Sequence, residues 1–269
     1  SNDDKLNFIL TSNSENNNSW LNFGINKSEN IDKFQGVVTE NNQNGYLYKT
    51  IEQLTLTNQT SKLIEVEKDD HKFIKKYEDK STESFRYSKY NTVVYTNSNK
   101  QEVLLELDCR ELNDYDTENR NYTLEIEKKY TIIKYEKTNS KKEYQNCELY
   151  IAIENENCDI KLINDWKEKE YSYSKSRNPN DKNMFIFQAI SFIPKSEKAI
   201  YISQGFSKSE VIENIKQTKD FQKDKYFKWT EDIENEKINL AWNLSQSAYK
   251  SFKLKNGHKA GFFWFNQVW

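Results

Sequence analysis

Asp114, Asp116 and Glu118, with Glu125 at the twelfth position counted from Asp114, have the alternating spacing of a calcium-binding loop. Such a loop needs glycine at its sixth position and a helix on each side. Here Asn119 holds the sixth position and both flanks read as strands, so an acidic, solvated loop is the expectation. Asp108, Arg110 and Glu111 bracket the neighbouring turn and could fix it by ion pairing, weakly where exposed. His71 and His258 are the only histidines, far apart and without Cys or carboxylate at ligand spacing. No metal site and no cofactor are expected. With Gly 6 there is little material for a phosphate-cradling loop, and neither a Ser-centred elbow nor a Cys-His arrangement occurs. No residue is assigned a catalytic role. In Phe85–Tyr90, read as a strand, Phe85, Tyr87 and Lys89 share one face and Arg86, Ser88 and Tyr90 the other. Aromatic and basic side chains mixed in this way can form a sugar platform, although ordinary strand packing is the expectation here.

The elements that must position these residues are mostly strands. From Ser19 to about Phe206 the dominant period is two. Val103-Leu105-Leu107, Tyr122-Leu124-Ile126 and Tyr130-Ile132 with Tyr135 alternate apolar with polar residues. The runs 92–96, 148–153, 184–193 and 199–203 are rich in β-branched and aromatic residues. Polar clusters at 97–99, 113–121, 138–143 and 174–183 separate them. The spacing predicts a large antiparallel two-sheet β-sandwich over residues 1–206. Ser207-Lys208-Ser209-Glu210 is a capping-box pattern opening a short helix through Val211, Ile212 and Ile215. A second helix starts near Thr230, aligns Ala241, Leu244, Ala248 and Phe252 on one face, and stops before Gly257. Residues 207–256 therefore read as a helical linker after the mostly β domain.

Composition excludes several functions. Lys+Arg 40 against Asp+Glu 42 nearly cancel, so the field a nucleic-acid binder needs is missing. No stretch approaches eighteen apolar residues, which removes a membrane-spanning helix. Ser1 to Lys5 is polar and acidic, unlike a signal peptide. Cys109, Cys147 and Cys158 form an odd set without C-x-x-C spacing, so reduced thiols and a cytoplasmic location are expected. The mean hydropathy of -1.01 is that of a disordered chain, yet 14% of residues are aromatic. Strands with one polar face reconcile the two values.

The chain ends Gly257-His258-Lys259-Ala260-Gly261-Phe262-Phe263-Trp264-Phe265-Asn266-Gln267-Val268-Trp269, its densest aromatic segment. Such a run either enters a further domain that buries the rings or packs back on the sandwich as a tail. Gly257, Ala260, Gly261, Phe262, Phe263, Trp264, Phe265 and Trp269 resemble the Gly-x-x-Ala-Gly-aromatic-x-Trp-Phe junction of prokaryotic glycogen-debranching enzymes of the amylo-alpha-1,6-glucosidase type and of related glucoamylases. Phe34-Gln35-Gly36-Val37-Val38 before Tyr48-Lys49-Thr50, and Leu107-Asp108-Cys109-Arg110-Glu111, resemble that family's amino-terminal domain more loosely.

The resemblance implies a supersandwich-like amino-terminal domain leading through helices into a catalytic α/α-toroid, of which residues 257–269 would be the first part. It implies a parent enzyme that hydrolyses α-1,6-glucosidic branches with two toroid carboxylates, and α-glucan and the toroid as partners. The family's Arg-Asp pair would follow Trp269, so the present chain is expected to be inactive alone. Onto Trp264, Phe265 and Trp269 the resemblance carries a role in lining the sugar pocket; packing at the domain junction is the competing role. The alternative function is a stand-alone carbohydrate-binding or protein-interaction sandwich. A surface-layer or adhesion sandwich would need a leader upstream of Ser1.

Overall fold

The computed structural model describes residues 10–13, 18–22, 33, 35–41, 43–68, 72–180, 183–220, 238, 242, 245, 253–254 and 257–258. The alternation read from the sequence forms two antiparallel sheets, so the fold is mostly β. The first sheet has seven described strands, in the order β1 (Leu10–Asn13), β2 (Asn18–Asn22), β3 (Gly36–Glu40), β4 (Leu47–Leu56), β9 (Val103–Glu111), β14 (Met184–Pro194) and β13 (Cys158–Lys169). The second has eight: β10 (Arg120–Ile126), β11 (Tyr130–Lys137), β12 (Cys147–Glu154), β15 (Ile200–Gly205), β8 (Thr92–Asn97), β7 (Thr82–Tyr87), β6 (Lys72–Tyr77) and β5 (Leu63–Lys68). Side chains alternate across each strand, so every second residue of the central strands enters the core between the sheets. Val103, Leu105, Leu107 and Cys109 of β9 meet Ile133 and Tyr135 of β11, Ile151 of β12 and Tyr95 of β8 in that core.

The capping box forms. Helix α2 (Lys208–Asp220) opens with the Glu210 backbone N–H donating to Ser207 Oγ at 3.2 Å. The Glu210 carboxylate reaches back to the backbone N–H of Phe206 at 2.8 Å, one residue earlier than in the usual box. Val211 and Ile215, one turn apart, pack with Tyr130, Ile132 and Ala152 on the outer face of the second sheet. Strand β11 is thus apolar on both faces. Tyr130 and Ile132 point to the helix, Ile133 and Tyr135 to the core.

By backbone contacts the chain divides into two units, Ser1–Thr218 and Lys219–Trp269. In the second, Ile238, Trp242 and Ser245 are helical. Lys253–Leu254 (β16) pairs with Gly257–His258 (β17) as a short antiparallel hairpin. Gly257 therefore lies in a strand. Ala241, Leu244, Ala248 and Phe252 lie outside the described residues. A single turn of helix, α1 (Ser172–Arg177), occupies part of the polar stretch read as a loop.

Candidate functional site

The feature that departs most from a solvated sheet face lies on β4 and β9, on the side turned away from the core. Strand β4 carries two register irregularities opposite β9, between Lys49 and Ile51 and between Ile51 and Gln53. A bulge inserts a residue and re-aims the side chains after it. Tyr48, Ile51 and Leu54 consequently face the core, while Lys49 and Glu52, three residues apart, meet on the outer face. Asp108 and Arg110 of β9 take the same face by simple alternation.

These four charged residues are almost inaccessible, with Lys49, Glu52 and Asp108 at 0% exposure and Arg110 at 1%. Lys49 Nζ pairs with Glu52 Oε2, lies 3.1 Å from Asp108 Oδ2 and donates to the Lys33 carbonyl at 3.0 Å. Arg110 Nε donates to Asp108 Oδ2 at 2.9 Å, and its Nη1 to the Leu112 carbonyl. Arg120 enters from β10 in the other sheet. Its Nη2 donates to Asp108 Oδ1 and to the Cys109 carbonyl, both at 3.2 Å, and its Nη1 to the Phe185 carbonyl at 2.9 Å. On the far side Lys169 of β13 pairs with Glu52 Oε1 at 2.8 Å. Gln35 donates to the same oxygen at 2.8 Å, and the Tyr171 hydroxyl to Glu52 Oε2 at 3.2 Å. Glu106 extends the network, accepting from Gln53, from Thr55 at 3.1 Å and from Gln188 at 3.0 Å.

The electrostatics fix what this cluster can do. Burial works to raise the pKa of Asp108, but Arg110, Lys49 and Arg120 outweigh it and hold the carboxyl far below its ordinary range. Glu52 follows the same pattern, burial being overcome by Lys49 and then Lys169. Both carboxylates stay ionised with their lone pairs engaged. A general acid for glycoside cleavage requires the opposite shift and access to the substrate. The cluster is a clamp that joins β3, β4, β9, β13 and β10.

Three segments distant in sequence meet here: Gln35–Val38, Tyr48–Thr50 and Leu107–Glu111. Thr50 Oγ1 donates to the Val37 carbonyl at 3.3 Å, and Cys109 Sγ to the Thr50 carbonyl at 3.4 Å. Gly36 sits at φ +110°, and a Cβ there would lie 2.1 Å from the Ile51 carbonyl oxygen. Only glycine allows β3 to approach the bulged strand so closely. Asp108, Arg110 and Glu111 thus lie buried within β9 rather than bracketing a turn, and the expected ion pairing forms between Arg110 and Asp108.

In the acidic loop Asp114 is buried rather than solvated, and it is held by Lys137. Lys137 Nζ donates to Asp114 Oδ2 at 2.7 Å and to the Asp116 carbonyl at 2.9 Å, so a lysine ammonium sits where the motif would hold calcium. Asn119 adopts the left-handed backbone, φ 57°, that glycine supplies in a calcium loop. Glu125 is turned away and pairs with Lys208. Among the described residues no three Cys, His, Asp or Glu side chains are grouped to hold a metal ion. Cys109, Cys147 and Cys158 are free thiols. No helix among the described residues is long and apolar enough to cross a membrane.

In the run 85–90, Phe85 and Tyr87 face the core, Phe85 stacked on Phe73 at 4.7 Å. Their rings are closed to a sugar, as ordinary strand packing requires. Trp264, Phe265, Trp269 and His71 lie outside the described residues. Sequence reasoning missed Lys49, Glu52, Glu106 and Lys169 as members of the cluster. Their one signal was charge interrupting otherwise apolar strands.

No protein-family model matches the chain, and no curated protein matches it. Among solved structures, a family GH92 inverting mannosidase from Bacteroides thetaiotaomicron shows a likeness with a TM-score of 0.36 and 10% identity. The likeness covers 94% of this chain and 33% of that one, so the chain spans about a third of that protein's length. A likeness that distant carries no argument about chemistry.

Proposed function

We propose that the chain is a non-catalytic amino-terminal domain of a glycogen-debranching-type glycoside hydrolase acting on α-1,6-glucosidic branches in the cytoplasm. Its work is to pack against a catalytic α/α-toroid and to shape one wall of the active-site mouth. The observation that carries this reading is the meeting of the three amino-terminal segments that resemble that family. Segments alike by compositional accident have no reason to converge, yet these share one buried ionic clamp. The permanently ionised, enclosed state of Asp108 and Glu52 supports a structural rather than a hydrolytic role for the clamp. On this reading Trp264, Phe265 and Trp269 line the junction with the toroid and face α-glucan.

The coding sequence immediately past the Trp269 codon tests the proposal. An Arg-Asp pair followed by a run of helical hairpins is the expected result. An immediate stop codon would contradict it and favour a stand-alone carbohydrate-binding or interaction module.

A further inference from the structure

At one end of the sandwich two tyrosines from separate loops, Tyr46 exposed and Tyr144 half-buried, stack on each other. Tyr46 closes the β3–β4 turn, and Tyr144 lies in the 3-10 turn Glu143–Gln145 between β11 and β12. Their ring centroids are 4.2 Å apart and the planes differ by 9°. Each loop is fixed by its own bonds. In the first, Gly45 at φ +72° and the Asn41 N–H to Tyr46 carbonyl bond of 2.9 Å set the turn, and the Tyr46 N–H donates to Asn44 Oδ1 at 3.0 Å. In the second, Gln145 N–H donates to the Lys142 carbonyl at 3.0 Å. Tyr48 couples the two loops, donating to the Tyr144 carbonyl at 2.9 Å and accepting from Asn44 Nδ2 at 3.2 Å.

The pair contributes little to the core. Tyr46 is 38% exposed although Tyr144 covers one of its faces, so part of the residue stays open to solvent. Around the rings stand the exposed polar side chains of Asn44, Asn113 and Lys142. Tyr48 is the register partner of Glu111, and the Leu112 N–H donates to the Leu47 carbonyl at 2.8 Å, so Asn113 comes level with Tyr46. Both Glu111 oxygens accept from Asn113, at 3.2 and 3.4 Å. Lys142 Nζ lies 5.8 Å from the centre of the Tyr144 ring. Glu111 is buried but close enough to act on Lys142, so an anion drawn to the Lys142 ammonium would also meet negative charge behind it. A neutral ligand with one flat C–H face and hydroxyls at its edge fits both the rings and the rim.

We propose that the stacked Tyr46–Tyr144 pair, with Asn44, Asn113 and Lys142 at its rim, is a binding platform for a hexose unit of a neutral glycan. The platform is preorganised, because tyrosine has few rotors and both rings are already held in contact. The choice of α-glucan as first ligand rests on the function proposed above; the platform itself does not.

Affinity electrophoresis of the purified chain in gels containing glycogen, α-mannan or β-glucan tests it, with thermal melts to confirm folding of each variant. The wild-type chain should be retarded by glycogen. Tyr46→Ala and Tyr144→Ala should each weaken binding roughly threefold to tenfold, as loss of a ring contact does, while Tyr46→Phe keeps it. Retardation by mannan or β-glucan but not glycogen, lost in Tyr46→Ala, would uphold the platform and remove the α-glucan reading. Retardation in none of the gels, or equal retardation of all variants, would overturn the platform.

Discussion

Asp108 shows how a single residue can join two sheets. Three cations converge on it, Lys49 from the neighbouring strand, Arg110 from its own and Arg120 from the opposite sheet. Removing the carboxylate charge leaves those cations buried without their counter-charge, which costs about 3–5 kcal/mol. Asp108→Asn should therefore lower the urea midpoint strongly, and Glu52→Gln should act in the same direction through Lys49 and Lys169. The pH dependence has a defined sign. In the unfolded chain these carboxyls take up protons near pH 4 (ordinary values of about 3.9 and 4.3), whereas in the folded chain they stay ionised to lower pH. The unfolded state binds more protons in that interval, so their stabilisation is complete above it and is lost as the pH falls below it. Urea titrations between pH 6 and 3 should show a steep fall for the wild type and a shallower one for Asp108→Asn. Equal slopes would mean that Asp108 is not held ionised by its neighbours.

At the scale of elements, close approach depends on two glycines in different ways. Gly36→Ala places a Cβ 2.1 Å from a backbone oxygen of β4, at φ +110°, and neither strand can yield without breaking the bulge. At Gly205 a Cβ meets the Glu210 side chain at 2.7 Å, which can rotate aside at the expense of its bond to the Phe206 N–H. Thermal melts should show Gly36→Ala losing several times more stability than Gly205→Ala, whose loss should resemble the roughly 1 kcal/mol of a lost helix cap. The reverse order would contradict the packing of β3 on β4. Most of these elements could be read from sequence, since β8, β9, β12, β14 and β15 announce themselves by alternation and β-branched runs. The capping box placed the start of α2, which runs on past Ile215 to Asp220. Strand β13 was not legible because its residues Cys158–Lys169 form a sheet edge, where Asp, Lys and Glu satisfy solvent and weaken the pattern. The ionic cluster was hidden for the opposite reason. Lys49, Glu52 and Asp108 look like solvent-facing residues of half-buried strands, and only the two bulges and the cover from Gln35 and Tyr171 enclose them.

At the scale of the whole molecule, a disorder-like hydropathy of -1.01 stands beside 14% aromatic content. Among the described residues, rings such as Tyr95, Tyr135 and Phe192 fill the space between the sheets, while Trp166, Phe185 and Tyr46 stay exposed and α2 and the ionic clamp close parts of the outer faces. Asp108 and Glu52 of that clamp are held ionised and engaged by cations, an amide and a hydroxyl, so neither is set to act as a general acid. On the function proposed above, this chain supports a glycoside hydrolase without hydrolysing glycosides itself. Glucose release from a branched glycogen limit dextrin by the purified chain, measured against a buffer control, tests it most directly. The account predicts no release above the control. Glucose release that disappears in Glu52→Gln or Asp108→Asn, with folding intact, would contradict it.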